Sequence, residues 1–186
     1  FSDTKLHSFI PFSNISEQMI RSGKKQRIVS IGGITERKNQ LELIKAYHLL
    51  DRDDIELLFI GSWDEGYKAD CDKYIEEYHL SNVTFLGFQS NPWELITDKD
   101  IIVFSSKLEA FPLVYVEAII KGVPAIVSDN PGHFSVQKYF GTGEIYPLGN
   151  IEALTNLLKR SIQDIESFRL HAFHKLTQER KKYTIE

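Results

Sequence analysis

The 186-residue chain contains one cysteine, one methionine, two tryptophans and six prolines. A single thiol, Cys71, cannot close an intramolecular disulfide, so a cross-linked secreted scaffold is excluded and a reducing, cytoplasmic setting is expected. No apolar run approaches the roughly 18 residues that a bilayer-spanning helix requires, and the first residues lack the layout of a signal peptide. Positive charge is not in excess either: 22 Lys+Arg against 26 Asp+Glu give a formal charge of −4. Such a balance does not hold a phosphate backbone by bulk charge, and no nucleic-acid partner is expected. What is present suits a globular domain, with 42% hydrophobic and 26% charged residues and length enough for one buried core. The chain opens on Phe1 rather than Met, which reads as a piece excised from a longer protein.

Short β-branched runs alternate with helical patterns. The sequence predicts strands over residues 27–31, 55–60, 83–86, 100–104 and 124–127, with a weaker sixth over 144–146. The clearest runs are apolar on both faces, which suits a parallel sheet covered by helices on each side. Helices are predicted over 39–50, 64–78, 92–97, 112–121 and 151–162, followed by a long charged one over 164–182. Asn39 with Glu42 three residues on has the form of an N-capping pair. The alternation predicts an α/β fold, a doubly wound, mostly parallel six-stranded Rossmann-like sheet. Residues 1–23 read as a linker, 24–164 as the sheet domain and 165–186 as a C-terminal helix.

In an open parallel sheet, ligands bind beyond the carboxyl ends of the strands. The loop after the first strand is GGITERKN, in which two glycines precede Arg37 and Lys38 at a helix start. Free amides with two cations make an anion site, most naturally for phosphate; a plain turn with solvated cations is the alternative. The spacing matches neither a P-loop nor GxGxxG, so neither an NTPase nor a dehydrogenase is supported. The loop after the fourth strand runs SSKLEAFPLVYVE, with Glu109 in the loop and Glu117 in the following helix. Pro112 pre-sets the helix entry and leaves the amides of Phe111, Leu113 and Val114 near a positive helix terminus. Two carboxylates flanking a set of donors suit a ligand carrying both hydroxyls and phosphate, as a nucleotide-sugar does. Taken singly, Glu117 also fits a surface pair with Lys121, and Glu109 a solvated loop acid.

The segment S-x-x-E-x-F-P-x-x-x-x-E-A, from Ser106 to Ala118, followed by Lys121-Gly122-Val123-Pro124, resembles the donor-binding half of GT-B glycosyltransferases. It is most similar to the large retaining family, group 1 or family 4, that includes capsule, exopolysaccharide and lipopolysaccharide transferases. The first loop agrees, since the family pattern G-R-L-x-x-x-K-[GN] falls on Gly32 through Asn39, and Val83–Gly87 resembles the strand that leads to the nucleobase loop. The resemblance implies that Lys38 grips the donor diphosphate and stabilises the leaving group, and that Glu109 bonds sugar hydroxyls beside the anomeric carbon; these are the expected catalytic residues. It implies further donor contacts from Gly33, Arg37, the amides of Phe111, Leu113 and Val114, the main chain at Phe88, and Glu117 on the ribose hydroxyls. It implies a UDP- or GDP-type sugar donor, with no metal and no other cofactor.

Three positions depart from the family pattern. Gly33 stands where an arginine is usual, with Arg37 as a substitute cation whose direction the sequence does not give; Ala110 replaces a glycine; and Asn130-Pro131-Gly132-His133-Phe134 lacks the expected glutamate. His133 is read there as a capping or packing residue, not a catalytic base. By the same resemblance, residues 1–23 are an interdomain remnant and the partner is an N-terminal acceptor-binding domain. Arg180-Lys181-Lys182 reads mainly as a solvated helix face, with peripheral contact at the inner face of the membrane as the alternative. The competing function is a nucleotide-sugar-binding module without transfer activity.

Overall fold

The computed structural model describes residues 21–170. Strands β1 (Arg27–Ile31), β2 (Glu56–Ile60), β3 (Val83–Phe85), β4 (Asp100–Phe104), β5 (Ala125–Ser128) and β6 (Glu144–Tyr146) form one sheet in the order β3-β2-β1-β4-β5-β6. Every neighbouring pair is parallel, which sharpens the expected mostly parallel sheet. Between the strands lie α1 (Gln40–Leu50), α2 (Glu65–Glu77), α3 (Leu113–Ile120) and α4 (Pro131–Phe140), with α5 (Ile151–Gln163) after the last; a 3₁₀ turn at Pro92–Leu95 precedes β4.

The period of two in the strands sorts their side chains between two cores. Leu57, Phe59, Ile101, Val103 and Ile126 face α1, α2 and α5, where they meet Leu43, Ile44, Tyr47, Cys71, Leu154 and Leu158. Leu58, Ile60, Ile102, Phe104 and Val127 face α3 and α4, where they meet Tyr115, Ile119, Val136 and Phe140. Burying a Leu, Ile or Phe of this kind contributes about 1.5–3 kcal/mol each, so the alternation decides which face every helix takes.

Helix α4 is not anticipated by the apolar pattern, because its buried positions are Gly132, His133, Val136 and Phe140, only two of them large hydrophobics. Its signals are the punctuation: the Asn130 side chain accepts from the His133 amide, Pro131 opens the first turn and Gly141 closes the last with φ 64°. The expected helix over 92–97 is the shorter 3₁₀ turn, and the charged helix over 164–182 is interrupted at its start, residues 165–170 being helical after a turn at Asp164. The rest of that helix and the linker up to residue 20 lie outside the described residues, as does Arg180-Lys181-Lys182. No described helix is long and apolar enough to cross a membrane.

Strands β1 and β4 are clamped at their N-terminal ends and part at the other. Arg27 faces Asp100 in the register and donates from Nε to Oδ1 at 2.8 Å and from Nη2 to Oδ2 at 2.6 Å. Pairing then runs only as far as Val29↔Ile102, whereas β1 and β2 stay paired out to Ile31↔Ile60. Beyond Ile102 the β1–β4 pairing ends, at the point where the strand order reverses, the usual place for a ligand crevice.

Candidate functional site

The turn after β1 is braced on both sides. Gly32 donates to the Ile60 carbonyl at 2.9 Å and Ile34 to the Ser62 carbonyl at 2.8 Å, which binds the turn to the end of β2. The approach is close enough that a Cβ on Gly61 would stand 2.1 Å from the Gly32 oxygen, so only glycine fits there. On the other side buried Gln40 donates to the Gly33 carbonyl at 2.9 Å and accepts from the Thr35 amide at 3.3 Å. The loop thus delivers Arg37 and Lys38 in a set geometry. Asn39 does not cap α1 as expected: it adopts the left-handed conformation, φ 57° and ψ 40°, and its side-chain amide donates instead to the Glu42 carboxylate. Buried Glu42 also accepts from the Gly149 amide at 2.9 Å, and so ties the β1 loop to the segment after β6. In the left-handed conformation the Asn39 side-chain oxygen meets no first-turn amide, and the donation to Glu42 stands where a cap was expected.

The segment after β4 comes to meet this loop. The Ser105 hydroxyl lies 3.0 Å from the carbonyls of both Lys38 and Asn39, and the Lys107 amide donates to the Arg37 carbonyl at 2.8 Å. Glu109 is the centre of the arrangement. Its Oε1 accepts from the Lys38 ammonium at 2.6 Å and its Oε2 from Arg37 Nη1 at 3.2 Å. It is 8% exposed, which excludes the solvated loop acid as its description. Burial pushes its carboxyl up, but hydrogen bonds from Lys38 and Ser106 and the charges of Lys38 and Arg37 outweigh burial and hold it below the ordinary glutamate value.

The first turn of α4 supports Glu109 from behind. The Ser106 carbonyl accepts from Ser128 Oγ at 2.6 Å and from Asn130 Nδ2 at 3.0 Å. A Cβ on Gly132 would lie 2.3 Å from the Glu109 carbonyl oxygen, so the missing side chain lets the helix touch the loop backbone. His133 is buried with its Nδ1 among Ser128 and Asn130 and its ring beside Phe104 and Tyr115. Burial drives its imidazole down to about 4, so it is neutral at physiological pH and packs as anticipated.

The remaining predicted residues are spread along the rim. Leu113 donates its amide to the Phe111 carbonyl at 3.0 Å across Pro112, whose φ −80° and ψ 77° make an inverse γ-turn. That amide is therefore engaged, while those of Phe111 and Val114 find no acceptor among the described residues. Phe88, after Gly87, is 75% exposed, and the side chains of Phe111 and Leu113 are also exposed. The Glu117 carboxylate is not paired with the Lys121 ammonium: it accepts from the Trp93 indole at 2.8 Å, and the ammonium lies 5.7 Å from the centroid of that same ring. The structure thus brings Lys38, Arg37 and Glu109 together and gives Glu117 a partner of its own. Sequence reasoning gave no site role to Gln40 or Trp93, read Glu42 only as half of a capping pair and Gly132 only as part of a segment that departs from the family pattern; the dipeptide Asn130-Pro131 was the one cue to the α4 support.

The architecture has close counterparts of known structure. The HepE protein of Anabaena, solved with UDP and glucose, superposes with a TM-score of 0.76 at 19% identity, covering 97% of this chain and 48% of that one. The C-terminal domain of a glycosyl transferase group 1 family protein, LpcC of Francisella tularensis, superposes with a TM-score of 0.73 at 18% identity, covering 92% of this chain and 99% of that one. In sequence, an N-acetylgalactosamine-N,N'-diacetylbacillosaminyl-diphospho-undecaprenol 4-alpha-N-acetylgalactosaminyltransferase of Campylobacter jejuni is 26% identical over 166 residues, 86% of this chain and 44% of that protein. An N-acetyl-alpha-D-glucosaminyl L-malate synthase of Bacillus anthracis is 24% identical over 92% of this chain and 44% of its own length. The chain spans less than half the length of these relatives. The model of the glycosyl transferases group 1 family matches residues 12–180, and the chain, with its Lys38–Glu109 pair at the switch point, belongs to that family.

Proposed function

We propose that this chain is the donor-binding domain of a retaining glycosyltransferase that moves a hexose-type sugar from UDP or GDP to a glycan or lipid-linked hydroxyl. The observation that carries this proposal is the Lys38–Glu109 pair, 2.6 Å apart, where the loops leaving β1 and β4 meet. A cation and a buried carboxylate side by side suit a substrate that presents a diphosphate next to a ring of hydroxyls. Lys38 takes the diphosphate and stabilises charge as it develops on the leaving nucleoside diphosphate. Glu109, kept ionised, accepts from sugar hydroxyls beside the anomeric carbon. The amides of Phe111 and Val114 meet the sugar or pyrophosphate, Glu117 takes the ribose hydroxyls, and the main chain at Phe88 borders the base. The domain uses no metal and no resident cofactor in this scheme.

The acceptor wall of the cleft comes from an N-terminal domain, in keeping with the share of its relatives' length that this chain spans. Transfer needs both walls, because aligning two substrates supplies much of the rate. The enzyme works in the cytoplasm, with its acceptor at the inner face of the membrane; the undecaprenol in the name of the Campylobacter relative supports a lipid-linked acceptor. Gly33 favours the second reading, a nucleotide-sugar-binding module without transfer, since it leaves the β1 loop one cation short of the family pattern.

Titration of the chain with UDP, GDP, ADP and their sugars tests the proposal by calorimetry. One nucleotide series saturating is the expected result. A flat response to all of them removes it.

A further inference from the structure

Gly33 supplies no cation to the β1 loop, and Arg37, four residues on, carries one. Its Nη1 donates to the Leu108 carbonyl at 3.0 Å and to Glu109 Oε2 at 3.2 Å, and its own carbonyl accepts from the Lys107 amide at 2.8 Å. Three contacts therefore join Arg37 to the loop after β4, and none of them passes through Lys38. Lys38 holds the opposite carboxylate oxygen, Oε1, at 2.6 Å.

The two cations differ in how they are held. Lys38 is a compact charge on a flexible stem that can swing to a new anion. Arg37 is a planar fork fastened to main chain as well as to the carboxylate, and it has less freedom to leave. A diphosphate arriving at Lys38 competes directly with Glu109 for the ammonium. A buried carboxylate stripped of its cation is strongly disfavoured and takes up a proton instead. Glu109 would then lose the acceptor strength that a sugar hydroxyl needs.

We infer that Arg37 is a positioning residue that keeps Glu109 ionised and aimed at the donor sugar once Lys38 has turned to the diphosphate. The inference rests on the donor-binding proposal above. It assigns Arg37 to the sugar half of the ligand through Glu109, and not to the diphosphate.

Calorimetry of the chain with UDP against UDP-glucose, and GDP against GDP-mannose, separates the halves. Arg37→Met is expected to bind the nucleoside diphosphate within about twofold of the wild type and to lose about five- to tenfold for the sugar nucleotide, the scale of one charged hydrogen bond at a half-exposed site. Arg37→Lys is expected to recover part of that loss, since a charge without the fork still faces Oε2. The Arg37 side chain is 55% exposed, so both variants fold, which thermal unfolding verifies. Equal losses for nucleotide and sugar nucleotide would make Arg37 a diphosphate ligand and overturn the inference alone. An unchanged affinity for both would overturn it as well. A wild-type chain that binds none of the four ligands overturns the donor-binding proposal, and this inference with it.

Discussion

The Lys38 ammonium and the Glu109 carboxylate, 71 residues apart in the chain, meet at 2.6 Å with the carboxylate almost wholly buried. Because each neutralises the other, removing either one changes what the survivor can bind. Lys38→Ala is expected to weaken nucleoside diphosphate binding by roughly 2 kcal/mol, the range of a charged hydrogen bond. Glu109→Gln frees the ammonium, so the nucleoside diphosphate binds as well as before or more tightly while the sugar nucleotide loses affinity. Parallel titrations of both variants read the opposite signs, and a fall in diphosphate affinity for Glu109→Gln contradicts the assigned roles.

Glu117 accepts from the Trp93 indole at 2.8 Å, so ribose hydroxyls reaching this carboxylate must share or displace that donor. Glu117→Ala is expected to weaken nucleotide binding by about 1–3 kcal/mol. In a Trp63→Phe background the remaining tryptophan reports directly, and its emission should shift on nucleotide addition. Unchanged affinity in a folded Glu117→Ala chain would reduce Glu117 to the anchor of Trp93.

Gly132 is the contact between α4 and the Glu109 backbone, where a methyl group would stand 2.3 Å from a carbonyl oxygen. Gly132→Ala must push the helix or the loop aside, at a cost of about 1–3 kcal/mol in stability as for other overpacked sites. If the loop moves, sugar-nucleotide affinity drops along with the melting temperature. A variant as stable as the wild type would show that the α4 turn yields freely.

His133 carries a pH dependence of stability. Its imidazole titrates near 6.5 when unfolded and at about 4 when buried, so between those values the unfolded chain binds the extra proton. Stability is therefore complete above pH 6.5 and declines as pH falls towards 4, by about 3 kcal/mol from this group. Glu109, with its lowered value, adds a loss of the same sign at more acid pH. Urea unfolding across this range should give a slope that His133→Gln flattens; an identical slope in that variant would assign the effect elsewhere.

Much of this was legible beforehand. Leu57 to Ile60 alternate between two cores because a strand has a period of two, and the helix predicted over 64–78 is α2, with Asp64 at its start accepting from the Tyr67 amide. The motif spacing also singled out Lys38, Glu109 and Glu117. Helix α4 escaped because a buried histidine and glycine do the packing that large apolar residues do elsewhere. The Asn39 cap failed because Asn39 sits in the left-handed conformation, where its side-chain oxygen meets no first-turn amide while its Nδ2 donates to buried Glu42.

The sequence by itself determined the strand and helix alternation and the family, and singled out Lys38, Glu109 and Glu117 as candidates, since these depend on residue type and spacing over a few positions. The tertiary structure alone decided that β1 lies between β2 and β4, and with it that Lys38 reaches Glu109. It likewise decided that Arg37 turns inward to Oε2 and that Glu117 takes Trp93. A side chain's direction from a turn is set by hydrogen bonds to distant loops, such as Lys107 on the Arg37 carbonyl, and local propensity contains no information about them.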